Sequence, residues 1–418
     1  MQQVKTVIIL NDFGYINGGI SQMAITCANV LAEQGLRVIY FSAAADPAVD
    51  SGLSPRVENY STGGTDILRH PSRLHALQLG LWNGKVPAMM RNILEKVDPA
   101  ETIIHLHAWT KALSPSIGKV ITHSGIPVVY TLHDFFIACP NGGFYNYPAA
   151  KVCTLKAMSL ACICTNCDVR NFAHKLWRVA RQAIQRYAGS IPSGIRYYIS
   201  VTKFSENILR PYLPAQAEIF LLNNPVTFTL PGRPRNQATG DKMLFAGRIS
   251  TEKGAALACE AARAAGVQLV VIGEGPLKAS LQEQYPEVEF RGWLSSQELF
   301  QEMLEAKALI FPSVWYETQG LIVLEALSVG LPVIVSDHCA ASEFVDQQNG
   351  FTFRGGDTGD LTEKIKALVE IPGKAAQMSR YAYDNYWKNP FLLDDYIGET
   401  LAIYNRILEK EKTSKHKS

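Results

Sequence analysis

The stretch ALIFPSVWYETQGLIVLEALSVGLPVIVS, residues 308–336, determines the fold class of this chain. It begins with the apolar run 308–313, which has the length of a buried strand. A second apolar run, 320–326, favours a buried helix, and PVIVS at 332–336 returns to a strand. A strand, a helix and a strand joined by short connections predict two parallel strands with a right-handed crossover.

The same alternation continues outward in both directions. The second half contains strand-like runs at 242–248, 267–273 and 288–293. The first half contains a helical pattern at 18–35 and strand-like runs at 4–10, 36–42, 101–107, 127–133 and 195–201. A polar, proline-rich stretch near 228–241 separates the halves and predicts a linker. We therefore expect an α/β fold of two doubly wound, Rossmann-like units that face a cleft.

Composition restricts the function classes. The chain has 418 residues, a net charge of +2, 47% hydrophobic and 19% charged residues. The length suits two domains, and the small net charge does not favour a nucleic-acid partner. The sequence contains no run of 18 apolar residues and no signal-peptide core, so we expect a cytoplasmic protein, with membrane contact restricted to peripheral binding on the inner face of the cell membrane.

Two cations follow the strand at 242–248. Arg248 and Lys253 flank a short loop before a helix, and a planar guanidinium together with a compact ammonium suits a diphosphate. The alternative is a pair of solvated surface cations.

Two glutamates lie in the opening stretch. Glu317 precedes the apolar helix, and Glu325 is inside it. A buried carboxylate needs partners, and two ribose hydroxyls would satisfy it because a carboxylate accepts two hydrogen bonds. The alternative for Glu325 is a structural partner such as an arginine or a backbone amide.

Gly18 and Gly19 open the first helix. Glycines let a ligand approach the backbone closely, and a helix N-terminus favours anions. Their spacing is not that of a dinucleotide-binding fingerprint, so a tight turn without a ligand is the alternative.

These motifs resemble those of retaining glycosyltransferase family 4, which has the GT-B fold. The resemblance is specific over residues 240–355 and looser in the first half, where it rests on Gly18, Gly19 and His133. Its motifs are Gly247-Arg248 with Lys253-Gly254, the stretch VIGEGP at 271–276, Glu317 with Glu325-Ala326, and GLPVI at 330–334.

The resemblance implies roles for the second-half residues. Arg248 and Lys253 would hold the donor diphosphate and stabilise the departing nucleoside diphosphate. Glu325 would bind the ribose, and Glu317 would contact the donor sugar near its O3. Gly275 belongs to the donor-binding motif.

It also implies roles at two helix N-termini and at one strand end. The amides around Gly320 and Leu321 would face sugar or phosphate, and Gly18 and Gly19 would approach the β-phosphate. His133 would lie near the donor sugar's O6 and the reaction centre. The set expected to act in catalysis is Glu317, His133, Arg248 and Lys253.

Two neighbouring residues extend this set. Gln319 stands where the family usually has Phe, so we expect this position to bear on which sugar is transferred. Asp134, beside His133, is either a further catalytic carboxylate or a cap after the strand. No residue is an obvious nucleophile, so we favour front-face attack by the acceptor without a required metal cofactor.

Five of the eight cysteines lie between residues 139 and 167. Enough thiols are present for a tetrahedral zinc ion, and a subset of the family has a similar insert. A structural zinc would be held by Cys139, Cys153, Cys164 and Cys167. Reduced, partly buried thiols are the alternative.

Residues 168–187 carry five Lys or Arg and one Asp among apolar residues. This pattern favours a basic amphipathic helix on an anionic membrane surface, which would suit a lipid-linked acceptor. The alternative is a helix packed on its domain with a solvated basic face.

We therefore predict a retaining transferase that moves a sugar from a UDP-, GDP- or ADP-sugar to a glycan or lipid-linked acceptor in surface polysaccharide assembly, such as that of lipopolysaccharide. Residues 1–230 would form an acceptor-binding domain, to which 393–418 return, and 231–392 a nucleotide-sugar-binding domain. The alternatives are an epimerase-like enzyme and a non-catalytic nucleotide-sugar-binding protein of the same fold.

Overall fold

The computed structural model describes residues 4–46, 48–226 and 240–415. The linker expected near 228–241, and with it the boundary between residues 230 and 231, lies almost entirely outside the described residues.

The first domain is built on a seven-stranded parallel sheet with the order β3-β2-β1-β4-β5-β8-β9, and β6 and β7 form a separate antiparallel pair. Its strands are β1 Thr6–Phe13, β2 Arg37–Ala44, β3 Glu58–Gly64, β4 Thr102–Leu106, β5 Val128–Leu132, β6 Tyr145–Asn146, β7 Lys151–Val152, β8 Tyr197–Ser200 and β9 Glu218–Leu221. Its helices are α1 Gly19–Glu33, α2 Arg73–Leu81, α3 Lys85–Leu94, α4 Ser116–Thr122, α5 Leu160–Cys164, α6 Phe172–Tyr187 and α7 Lys203–Leu209, followed by a 3-10 turn at Arg210–Tyr212.

The second domain is built on a six-stranded parallel sheet with the order β12-β11-β10-β13-β14-β15. Its strands are β10 Met243–Ala246, β11 Leu269–Ile272, β12 Glu289–Gly292, β13 Ala308–Phe311, β14 Val333–Ser336 and β15 Gly350–Phe353. Its helices are α8 Ala255–Ala265, α9 Lys278–Gln284, α10 Ser296–Glu305, α11 Leu321–Ser328, α12 Thr358–Val369 and α13 Lys374–Tyr386, with 3-10 turns at Thr251–Lys253 and Ala340–Phe344. The last described helix of the chain is α14 Leu393–Lys415.

The central strands are the ones that the sequence identifies. Every residue of β1, β4, β5 and β10 is buried, because helices cover both faces of a parallel sheet and such strands become continuous apolar runs. The sequence pattern did not identify β3, β9 or β15. All three are edge strands, and β3 has the polar sequence ENYSTGG with no fully buried residue.

The last helix, α14, packs against the first sheet rather than the second. Tyr396, Tyr404 and Ile407 share a core with Val4 and Cys27 of the first domain. The Val4 amide also donates to Asn405 Oδ1 at 3.0 Å. The two ends of the chain are therefore held together on one domain. None of the described helices has both the length and the apolar character that crossing a bilayer requires.

Candidate active site

A cavity of 820 Å³ lies between the two domains. Its walls come from the first turn of α1, from segments that follow β5, β10, β11 and β13, and from the first turns of α11. Ligands in open parallel sheets bind outside the carboxyl ends of the strands, and this cavity occupies that position in both domains. Its volume suits a ligand of several rings.

Glu317 and Lys253 form an ion pair in the cavity wall. Lys253 Nζ lies 2.5 Å from Glu317 Oε1, which also accepts hydrogen bonds from Trp315 Nε1 at 2.7 Å and Ser313 Oγ at 2.9 Å. Burial works to raise the pKa of Glu317, but the charge and hydrogen bond of Lys253, together with the hydrogen bonds of Trp315 and Ser313, outweigh it, and the pKa is lowered. Glu317 is therefore held ionised. No described residue donates to its Oε2, which is left for a ligand.

Arg248 lines the same cavity from the loop after β10. Its side chain is exposed and has no ion pair or hydrogen bond among the described residues. Lys253 lies five residues further, in the 3-10 turn Thr251–Lys253. The loop thus offers one unpartnered guanidinium and one ammonium held in place by Glu317, an arrangement that fits a diphosphate.

Glu325 faces the cavity from α11. In the described part of the chain no side chain or amide donates to its carboxylate, and burial raises its pKa to about 7. The structural partner considered as an alternative is therefore not found within the described residues. An acid in this position can instead accept from hydroxyl groups of a ligand.

Two helix N-termini border the cavity. Gly18 precedes α1 with φ of 130°, and Gly320 precedes α11 with φ of 78°. A Cβ added at Gly18 or Gly19 would meet no atom within 4 Å, so the space in front of that turn is open to a ligand. Leu321 and Gly19 both line the cavity. These N-termini supply free amides and positive partial charge.

His133 lines the cavity from the end of β5, and burial lowers its pKa to about 4. Its Nε2 lies 3.0 Å from Nδ1 of His107, and the two rings stack at 5.2 Å. His107 in turn contacts His105, whose Nδ1 lies 2.6 Å from the hydroxyl of Tyr404 in α14. The neutral imidazoles of His133, His107 and His105 therefore form a continuous series of contacts from the cavity to α14.

The sequence interpretation missed His105 and His107. The signal was present in the motif HLH at the end of β4, since alternate residues of a strand share a face. That His133 would stack beside them could be known only from the pairing of β4 with β5.

Asp134 combines features of both expected roles. Its Oδ1 accepts from the Phe136 amide at 3.0 Å, as a cap would. Burial also raises its pKa to about 6, above that of an ordinary aspartate.

Gly275 and Gln319 differ from what was expected of them. Gly275 is not among the residues that line the cavity. A Cβ there would lie 2.2 Å from the Ile249 carbonyl oxygen, so its role is close packing of two loops. Gln319 is 3% exposed and makes three hydrogen bonds with Asn224 of the first domain, at 2.8–3.0 Å. Its amide bridges the domains, and Gln319 also lines the cavity, so these hydrogen bonds fix its orientation there.

The four cysteines predicted as zinc ligands differ in burial, and two of them, Cys139 and Cys167, act with Cys162 on the ammonium of Lys175. Cys164 is exposed, whereas Cys162, outside the predicted set, is buried. The buried Lys175 ammonium lies 3.2 Å from Cys167 Sγ and 3.5 Å from Cys162 Sγ. Among the described residues no three His, Cys, Asp or Glu side chains are placed to hold a metal ion. Zinc binding by Cys139, Cys153, Cys164 and Cys167 stays a prediction.

The predicted basic helix corresponds to α6, Phe172–Tyr187, and its binding to a membrane surface stays a prediction. Lys175, Arg181, Gln182 and Gln185 are its buried residues. Phe172 and Leu176 are 39% and 44% exposed. Two of the four Lys or Arg residues of the helix are therefore buried, while Arg186 is exposed.

Family models match both halves of the chain. The model described as Glycosyltransferase Family 4 matches residues 17–228, about half of the chain, and the one described as Glycosyl transferases group 1 matches residues 229–385.

Individual proteins are similar as well. Glycogen synthase of Mycobacterium tuberculosis is 25% identical over 88% of this chain and 92% of its own length. Sulfoquinovosyl transferase SQD2 of Arabidopsis thaliana is 34% identical, over 34% of this chain and only 30% of its own length. Among solved structures, Alr3699/HepE of Anabaena, in complex with UDP, has a TM-score of 0.61 and 17% identity over 95% of this chain and 99% of its own.

Proposed function

The chain belongs to glycosyltransferase family 4, and on that premise we propose that it is a retaining, metal-independent hexosyltransferase with a nucleotide-sugar donor. Its two parallel-sheet domains have the GT-B fold. The proposed acceptor is a glycan or a lipid-linked sugar in surface polysaccharide assembly, met on the first domain.

One observation carries the proposal: the ionised Glu317 and the two cations of one loop face the same cavity as the unpartnered Glu325. A nucleoside diphosphate sugar has a ribose, two phosphates and a sugar ring. Glu325 offers acceptors for the ribose hydroxyls, Arg248 and Lys253 offer cations to the phosphates, and Glu317 offers Oε2 to the sugar. The UDP in the complex of Alr3699/HepE supports this donor class.

The same groups would stabilise the transition state. Negative charge develops on the departing diphosphate, and Arg248, Lys253 and the N-terminus of α1 are already oriented toward the cavity. Preorganised charges of this kind act without reorganisation when the bond breaks. They supply what a metal cation supplies elsewhere, so the reaction proposed here is metal-independent.

Retention follows from the acceptor entering on the face that the leaving group vacates. The Glu317 carboxylate is held in its ion pair with Lys253, and we assign this carboxylate no nucleophilic role. His133 has a pKa of about 4, so its imidazole is neutral near neutral pH. A neutral imidazole can form a hydrogen bond with the donor sugar.

Replacement of the ion pair tests the proposal. Lys253→Ala and Glu317→Ala should each lower kcat for sugar transfer by on the order of a hundred- to a thousandfold. Lys242→Ala is the matched control, because Lys242 also pairs with a glutamate, Glu289 at 3.0 Å, on the surface of the same domain. Circular dichroism would verify folding. Normal turnover in both cavity variants would refute the assignment.

Two further measurements address the finer claims. Transfer should persist in EDTA, and NMR of the first product should show the anomeric configuration of the donor. An inverted product would exclude the retaining mechanism, and activity restored only by added Mg²⁺ or Mn²⁺ would exclude metal independence.

A further inference from the structure

A second cavity, of 500 Å³, lies in the first domain between α2 and α6. Its apolar walls are formed by Ile67, Leu68, Ala76, Leu77, Phe136 and Trp177. It shares no lining residue with the donor cavity. Phe136 lies three residues after His133, so the two cavities are on either side of the segment that follows β5.

The helices that form this cavity expose apolar side chains. In α6, Phe172 and Leu176 are one turn apart and exposed, while Lys175 is fully buried. In α2, Leu74 is 77% exposed, and Val169, just before α6, is 61% exposed. Exposed apolar side chains grouped on two neighbouring helices are typical of a surface that meets an apolar partner.

The same cavity has a strongly positive lining. Its charged residues are arginines and a lysine, namely Arg73, Lys111, Arg170, Arg178 and Arg181, and no carboxylate is among its lining residues. Asp168 pairs with Arg178 at 2.7 Å, and the carboxylates of Asp12 and Asp134 act on Arg181 from outside the lining, but none of the other cations has an ion pair among the described residues. An anion is therefore the complementary ligand.

The guanidinium of Arg181 is the most specific indication that the cavity binds an anionic ligand. Arg181 is 3% exposed, and its Nη1 donates to the Thr110 carbonyl oxygen at 3.0 Å. Its Nε is buried and has no hydrogen-bond partner in the described part of the chain. The guanidinium lies over the rings of Phe136 and Trp177, at 5.1 and 5.3 Å. A buried guanidinium on aromatic rings with a free N–H favours a phosphate oxygen.

We propose that this cavity binds a lipid phosphate or diphosphate, with the anionic head at Arg181 and Arg170 and the hydrocarbon chain along the exposed apolar residues of α2 and α6. This rests on the proposed function and specifies its acceptor: the sugar to be extended would be attached to that head and would point past Phe136 toward His133.

Binding measured without turnover separates this proposal from the transfer reaction. The full-length protein would be floated with phosphatidylcholine vesicles that contain a polyisoprenyl phosphate and, in parallel, with vesicles of phosphatidylcholine alone. We expect retention only by the first. Equal retention by both would overturn head recognition, and competition by inorganic pyrophosphate as strong as that by the lipid would overturn the lipid assignment.

Variants of α6 make the test specific. Arg181→Gln should weaken binding to the polyisoprenyl phosphate vesicles by about ten- to a hundredfold, the range for one charge-assisted hydrogen bond. Arg170→Gln, at an exposed position of the same cavity, should weaken it without affecting folding. Arg186→Gln is the control, because Arg186 is exposed on the same helix but does not line the cavity. Equal losses in all three would show that surface charge alone attracts the protein and would overturn the proposal.

Thermal stabilisation by UDP, measured in the same variants, reports donor binding separately from lipid binding. It therefore distinguishes the proposed transferase function from the proposed lipid site. A chain that binds the lipid phosphate but transfers no sugar to any acceptor would contradict the proposed function and not the lipid site. Wild-type protein that transfers sugar to soluble acceptors but is not retained by the polyisoprenyl phosphate vesicles would contradict the lipid site alone.

Discussion

Replacement of Glu325 by Gln should make the ligand-free protein more stable and its donor binding weaker. Burial raises the pKa of Glu325 from 4.5 to about 7, and no described residue offsets the burial of its charge. A pKa difference of about 2.5 units corresponds to about 3 kcal/mol of destabilisation once the group is ionised in both states.

The sign of the effect gives a pH window. Between pH 4.5 and about 7 the folded protein binds a proton at Glu325 that the unfolded chain has released, so stability falls as pH rises through that interval. Below pH 4.5 this loss of folding stability is absent, and above pH 7 it is complete. The side-chain amide of the Glu325→Gln variant cannot ionise. The stability advantage of this variant over the wild type should therefore grow by about 2 to 3 kcal/mol between pH 5 and pH 8.

Thermal unfolding at several pH values is the assay. For a domain of this size the change corresponds to a Tm difference on the order of 5 °C or more. Glu283→Gln, at an exposed position of α9, is the control and should shift Tm equally at pH 5 and pH 8. At pH 8 the Glu325→Gln variant should also bind the nucleotide about ten- to a hundredfold more weakly by calorimetry, because charge-assisted hydrogen bonds to the ribose are lost. A stability gap that does not change with pH, or unaltered nucleotide affinity, would refute the reasoning.

Two more predictions concern an amide that bridges the domains and the cysteines near α6. Gln319→Ala should lower Tm by several degrees without changing donor-sugar preference, because it removes three buried hydrogen bonds to Asn224; a changed preference among UDP-sugars at unchanged Tm would contradict the bridging role. Cys162→Ser should lower Tm more than Cys164→Ser, because Cys162 contacts the buried Lys175 and Cys164 is exposed. The opposite order, with loss of bound zinc from Cys164→Ser in elemental analysis, would instead support the zinc set that the sequence pattern predicts.

The extent to which the site could be foreseen differs from residue to residue. Arg248, Lys253, Glu317 and Glu325 were identifiable because each follows or lies within a strongly apolar segment, where a charge is conspicuous. The structure places all four around one cavity. The ion pair between Lys253 and Glu317 was not foreseen, because their sequence separation of 64 residues is bridged only when β10 and β13 pair.

Other features depended on contacts that no local pattern encodes. His105 meets Tyr404 across 299 residues, and the Asp12 carboxylate accepts the amides of Ala112 and Leu113 about 100 residues away. The basic residues of α6 predicted a solvated or membrane-facing charge. The structure buries Lys175 and Arg181 instead, because a thiol cluster and the Thr110 carbonyl receive them.

The sequence by itself determined the alternation of strands and helices, the division into two α/β halves and the placement of charged residues at strand ends. These follow from side-chain periodicity and backbone sterics, which act over a few residues. Only the tertiary structure decided which strands lie at the edges, that Gln319 joins the domains and that α6 buries Lys175 and Arg181 while it exposes Phe172 and Leu176. Each of these features depends on the packing of segments that are distant in sequence. The free energy of burying a side chain is set by the groups that it contacts in the folded protein and not by its neighbours along the chain.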